Sequence, residues 1–131
     1  MKALRLSSAQ PLQQPTNMKG VDSFEELICW QRANEVKLGV YALIRSDVVR
    51  RDFTFRDQIR ESAACAPRLI AEGFGRYLPT EFIKYLRWAN GEIQETANHL
   101  KDGFDRGYFR KPEIEPLVRL AKRASKAIRG P

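Results

Sequence analysis

Apolar positions recur at helical spacing from residue 23 to near the end of the chain, in four blocks separated by short breaks. Ser23-Phe24-Glu25-Glu26 has the form of a capping box, a serine followed three residues later by a glutamate, and predicts a first helix running to about Ser46. Phe24, Leu27, Ile28, Leu38 and Ala42 make one apolar face of that helix, and Cys29, Ala33, Val36, Val40 and Leu43 make a second. A helix apolar on two sides is either deeply buried in a monomer or touches something beyond its own bundle. The additional interface is the preferred reading, with Val36 and Val40 in it.

A second helix is expected from about Asp52 to Gly73, with Pro67 removing one backbone hydrogen bond and kinking the axis near Ala63 and Ala64. Its end, Ile70-Ala71-Glu72-Gly73-Phe74-Gly75-Arg76, is followed by a fresh helix start at Pro79-Thr80-Glu81. Gly73 is expected to close the helix in the left-handed geometry that glycine adopts without a Cβ clash, and Gly75 to let the chain reverse. The segment thus predicts the connection of a helical hairpin, with Phe74 folding back onto the helix end.

The third helix starts at Pro79-Thr80 and continues to about Arg106, where Gly107 stands in the position of a C-cap glycine. Its stripe of Phe82, Leu86, Ala89, Ile93, Ala97, Leu100 and Phe104 is spaced by threes and fours, the seam of an antiparallel bundle. Tyr85 and Trp88 lie off that stripe by roughly 60° and roughly 100°. Aromatic side chains so placed suit a subunit interface, and both are expected there.

Lys111-Pro112 opens a fourth helix, with proline in the first turn. Ile114, Leu117, Ala121, Ala124 and Ile128 share one face; Arg119, Lys122, Arg123, Lys126 and Arg129 fall within roughly 120° on the opposite one. No stretch has a strand pattern. The expected fold class is therefore all-α, an antiparallel up-and-down four-helix bundle over residues 23–131. Residues 1–22, rich in Gln, Pro and Ser and interrupted by Pro11, Pro15 and Gly20, are expected to form a flexible tail.

Charge sharpens this picture. Of a formal net charge of +7, residues 111–131 carry +4, from six basic against two acidic residues. No carboxylate follows Glu115, so the fourth helix offers a basic face on which phosphates of RNA or DNA would release counterions without sequence being read. Arg119, Lys122, Arg123, Lys126 and Arg129 are the candidate nucleic-acid-binding residues; an acidic protein is the alternative partner, and a solvated face that keeps the chain soluble is the bland reading. Arg50, Arg51 and Arg56 either extend the basic rim or pair locally with Asp47, Asp52 and Asp57, and local pairing is preferred. Glu72 is expected to play a structural part at the hairpin rather than to anchor an interface through Arg60 or Arg76.

Candidate catalytic chemistry is thin. The two cysteines, Cys29 and Cys65, are far apart, and His99 is the single histidine, so no metal site and no cofactor are expected. A carboxylate-bridged di-iron site needs two Glu-x-x-His pairs, whereas Glu95 and His99 are four apart and Glu92 cannot complete the set. Gly73 and Gly75 follow no strand and precede no Lys-Ser/Thr, so they are not a phosphate loop. An enzyme is not expected. The length suits one domain, no apolar run approaches the ~20 residues of a membrane span, and Met1-Lys2-Ala3-Leu4-Arg5-Leu6 lacks the apolar core of a signal peptide. A cytoplasmic location without membrane contact is the expectation.

Several stretches together resemble the four-helix-bundle proteins encoded by intervening sequences within bacterial 23S ribosomal RNA genes. They are Phe24-Glu25-Glu26-Leu27 with Trp30-Gln31, Asp57-Gln58-Ile59-Arg60, Ile70 to Arg76, Glu81-Phe82-Ile83-Lys84-Tyr85-Leu86, Gly91 with Glu95, and Gly107-Tyr108. The resemblance is close over about residues 23–110 and holds by pattern only in the fourth helix. It departs at Arg68-Leu69, where the family usually has a small polar residue and Asn, and at Gly91-Glu92, where it usually has Gly-Ser. It implies a homopentamer of four-helix bundles. A relative, the accessory variability protein of diversity-generating retroelements, is a basic pentamer that binds nucleic acid and its reverse transcriptase.

Overall fold

The computed structural model describes residues 20–130. The tail expected over 1–22 lies outside the described residues except for Gly20, Val21 and Asp22, and Val21 already packs against the core. Four long helices and one short one follow: α1 (Ile28–Leu43), α2 (Asp47–Arg51), α3 (Phe53–Gly75), α4 (Pro79–Asp105) and α5 (Lys111–Arg129). Among the described residues there is no strand. Helix α1 packs on α3, α3 on α4, α4 on α5 and α5 back on α1, around one core. Among the described residues no helix is long and apolar enough to cross a membrane.

The predicted capping box does not start α1. Residues Phe24–Glu26 form a single 3-10 turn, closed by Glu26 N–H to Ser23 O at 3.1 Å and Leu27 N–H to Phe24 O at 2.9 Å. Leu27 is extended and buried, so the tighter turn inserts its side chain into the core before the α-helix begins at Ile28. The other end also departs from expectation: α1 stops at Leu43, and fully buried Val49 anchors the separate helix α2.

The two predicted apolar faces of the first helix differ along α1, although Leu27 and Phe24 of the first face also join the core. Val36 and Val40 are completely buried against the chain's own core, with Ala33 and Cys29 beside them. This corrects their assignment to a subunit interface: the second face serves the monomer. On the first face Leu38 is 55% exposed and Ala42 is exposed.

Helix α3 begins with Asp52, whose Oδ1 accepts the Phe55 N–H at 3.2 Å, and runs without a break past buried Pro67 to Gly75. Gly73 therefore does not close the helix. Arg76 caps it, and Tyr77, not a glycine, takes the left-handed conformation with φ 61°. Gly73 is needed for a different reason: a Cβ there would lie 2.5 Å from Tyr85 Cβ and 3.2 Å from Phe82 Cδ1, so α3 and α4 touch backbone to side chain at this point. Because the opposing atom is a Cβ and cannot swing away, Gly73→Ala is expected to cost about 1–3 kcal/mol through overpacking. Urea unfolding of that variant would measure it, and an unchanged midpoint would refute the close-packing role.

The end of α4 follows the sequence reading. Gly107 has φ 83°, with its N–H on Phe104 O at 3.0 Å and the Tyr108 N–H on Gly103 O at 2.8 Å, a Schellman closure. Helix α5 then starts with the Glu113 carboxylate accepting the Arg110 N–H at 2.7 Å and Pro112 in the first turn. All five residues of its predicted apolar face, Ile114, Leu117, Ala121, Ala124 and Ile128, are buried.

A polar clasp joins the start of α3 to the α4–α5 turn. Asp52 Oδ2 accepts from Tyr108 OH at 2.6 Å and from Arg106 Nη1 at 3.0 Å, and Arg106 also meets Asp102 at 2.8 Å. The Tyr108 hydroxyl, then the Phe55 amide and Arg106, hold the Asp52 carboxyl below its ordinary 3.8, while Asp52 raises the Tyr108 phenol above its ordinary 10.0. A depressed carboxyl stabilises the fold above its unfolded-state pKa, and that contribution fades as pH falls through the folded-state value; the raised phenol contributes below 10.0 and fades as pH rises through its own. Asp52→Asn keeps a good helix cap but removes the charge. Its melting temperature is expected to fall less than the wild type's between about pH 5 and about pH 2. Parallel losses in the two proteins would show that the clasp adds no acid sensitivity.

Candidate nucleic-acid interface

The face of α5 opposite its buried stripe carries the five predicted cations, and Arg119, Lys122, Arg123, Lys126 and Arg129 are all exposed. What sets them apart is that five cations without a counter-charge share one face; among the described residues the unpaired ones outside α5, Lys37, Arg45, Arg51 and Arg87, lie on separate elements. On the other helices Arg32, Arg50, Arg56, Arg60, Arg68, Arg76, Lys84, Lys101 and Arg106 each sit 2.8–3.5 Å from a carboxylate. Among the described residues none of the five α5 cations forms an ion pair; Arg129 Nε donates instead to the Ser125 carbonyl at 3.3 Å. The α5 register explains this. Its acidic residues, Glu113 and Glu115, fall in the first two turns; Glu115 stands one turn before Arg119 without pairing with it, and no carboxylate lies three or four residues to either side of Lys122, Arg123, Lys126 or Arg129.

Between α4 and α5 runs an open groove formed by two hollows of about 390 and about 450 Å3 that share Val118 and Lys122. One continues along Ile93, Ala97 and Ala121 to Lys126 and Arg129; the other reaches Phe104, Lys101, Lys111 and Arg119, with Glu115 at its edge. Ser125 ties the two walls together: its hydroxyl donates to Asn90 Oδ1 at 2.7 Å and accepts from Gln94 Nε2 at 3.2 Å. The basic side chains therefore stand on a braced pair of helices, except Arg123, which lines neither hollow. The sequence pattern places the cations on one surface but gives no sign of the groove. Phe104, the last residue of the predicted α4 core stripe, is 41% exposed and contributes to it.

The remaining candidate residues fall into place as follows. Tyr85, expected at a subunit interface, is only 7% exposed because it lies over the space left by Gly73. That corrects its assignment. Its hydroxyl donates to Glu72 Oε2 at 3.3 Å, and Arg76 lies over its ring at 5.3 Å. Trp88 remains 51% exposed, edge-on to Tyr85 at 5.1 Å and under Lys84 at 5.5 Å. Glu72 is exposed and pairs with Arg76 at 3.5 Å, so it bonds neither Arg60 nor the hairpin amides. Arg50 and Arg56 pair locally, with Asp47 at 3.3 Å and Asp57 at 3.1 Å, whereas Arg51 forms no ion pair among the described residues and Asp52 is held by Arg106 and Tyr108.

Residues with chemical potential are occupied elsewhere. Burial pushes the Cys29 thiol up to about 12, which leaves it an inert core residue. Cys65 is half-buried, and desolvation, with Glu92 next, raises its pKa too. His99 pairs with Glu95 at 3.3 Å and packs edge-on to Phe55 at 6.3 Å. Glu92 is raised by desolvation and then by its acidic neighbours Glu95 and Glu61.

No curated protein and no solved structure matches this chain. The family model described as 23S rRNA-intervening sequence protein, however, matches residues 25–130, from the 3-10 turn to the end of α5. That span takes in every long helix, including the basic α5 that resembles the family by pattern only, and the chain belongs to the 23S rRNA-intervening sequence protein family.

Proposed function

We propose that this protein is a non-enzymatic, cytoplasmic scaffold that binds nucleic acid, RNA before DNA, through the exposed cations of α5. The observation that carries this reading is a clustering: five cations share one helix face without a carboxylate partner among the described residues, whereas most cations on the other helices are paired and the unpaired ones, Lys37, Arg45, Arg51 and Arg87, are scattered over separate elements. Unpaired cations on a rigid surface are the footprint left for phosphates, whose binding releases condensed counterions. The burial of Cys29, whose thiol is pushed up to about 12, supports a non-catalytic role. Short connections between helices that pack on their sequence neighbours support an antiparallel up-and-down four-helix bundle. Family membership supports self-association, with a homopentamer as the preferred order. A ring would repeat the α5 face around its rim and turn a weak contact into an avid one.

Fluorescence anisotropy with labelled structured RNA, single-stranded DNA and duplex DNA tests this, on protein freed of co-purified nucleic acid. Affinity should fall steeply with salt, by about 0.7–0.9 in log K per log unit of salt for each phosphate neutralised, and depend little on sequence. No binding even at low salt would remove the nucleic-acid reading and leave the basic face to an acidic protein partner.

A further inference from the structure

Phe104 is where the core stripe of α4 leaves the core. Leu100, one turn earlier, is completely buried, whereas Phe104 is 41% exposed, and among the described residues no ring contact holds it. It borders the same hollow as Lys101, Lys111, Arg119 and Lys122. Lys101 is engaged by Asp105 at 3.5 Å, but Arg119 and Lys122 have no carboxylate partner among the described residues, and Glu115 is the acidic group at that rim. From there the groove continues over an apolar floor of Val118, Ala121 and Ala97 to Lys126 and Arg129. Arg119 to Arg129 spans about 15 Å of helix at ~1.5 Å per residue.

We propose that the α4–α5 groove holds a single strand of nucleic acid, with one base stacked on the Phe104 ring and the backbone phosphates on Lys122, Lys126 and Arg129. This rests on the nucleic-acid reading of α5 and specifies the strand it accepts. A duplex offers a cationic surface only phosphates, because its base faces are stacked on one another; the exposed ring and apolar floor would gain nothing from it. An unpaired strand offers both charge and open base faces, and stacking on aromatic side chains beside a basic groove is how such strands are held without sequence being read. The two hollows, about 390 and about 450 Å3, lie within the ~300–1,000 Å3 of ordinary ligand pockets, ample for a base.

The test compares a labelled single strand of about 12 nucleotides, within the ~4–16 of a single-strand site, with a hairpin duplex and with an abasic phosphodiester strand of the same charge. The single strand should bind more tightly than either. Phe104→Ala should weaken single-strand binding by about 5- to 150-fold, the loss of one stacked base, while leaving the slope of log K against log salt unchanged. Phe104→Tyr should restore it. Wild-type affinity in Phe104→Ala, or equal binding of the abasic strand, would overturn the stacking site; steep salt dependence in the same titrations would then leave the α5 phosphate reading standing. Absence of binding by every strand at low salt would overturn both.

Discussion

Phe82→Ala is expected to lower the free energy of unfolding by about 3–5 kcal/mol, the cost of deleting a buried aromatic ring and leaving its cavity. Phe82 is completely buried, packs edge-on to Phe74 at 6.3 Å, and lies at the point where Gly73 lets α3 and α4 meet. Little can collapse into the space. Gly73, on the α3 side, has no side chain to fill it, and the Tyr85 ring is already tied to Glu72 and Arg76. Set against the ~5–15 kcal/mol that stabilises a typical domain, this loss would leave the monomer marginal. Urea unfolding followed by far-UV circular dichroism would show a lower midpoint with an unchanged slope; a loss below about 1 kcal/mol would mean that this junction is not a keystone of the core.

The second large effect is functional. Lys122→Glu together with Lys126→Glu is expected to weaken RNA binding by about a hundredfold or more while the fold stays intact. Two charge-assisted phosphate contacts at about 1.5 kcal/mol each amount to about 3 kcal/mol, and every ~1.4 kcal/mol is tenfold. The salt dependence should also flatten by about 1.4 in slope, about 0.7 for each phosphate of a single strand that is no longer neutralised. Both side chains are exposed, line the groove and form no ion pair among the described residues, so the substitution breaks nothing within the chain. Wild-type affinity in the double variant, with an unchanged melting temperature, would remove α5 as the binding face.

How legible these features are depends on how local their physics is. The α5 stripe and its cations can be read from spacing alone, because one amphipathic helix fixes both faces, and Gly107 can be read because a left-handed closure is a property of the residue itself. Gly73 misleads for the same reason. Its value lies in the approach of α4, which no local rule reveals, and the chain tolerates the strained turn at Tyr77 instead. Tyr85 misleads with it, since a residue facing a glycine is buried where its wheel position predicts a rim. Val36 and Val40 point to an interface in the sequence because the pattern shows two apolar faces without saying which the monomer claims. Phe104 fits its heptad spacing, but the buried face of α4 has shifted to Thr96, Leu100 and Gly103, which leaves Phe104 beside the core, and the groove exists only once α4 and α5 are packed.

The central claim, that the α5 face is where nucleic acid sits, is tested most directly by locating the contact. Ultraviolet crosslinking of a bound labelled RNA, followed by mass spectrometry of the crosslinked peptides, would do so. The account predicts adducts on peptides covering Lys111–Arg129 and the end of α4 around Phe104, absent from the Lys122→Glu/Lys126→Glu variant. Adducts confined to α1 or α3, retained in that variant, would contradict it.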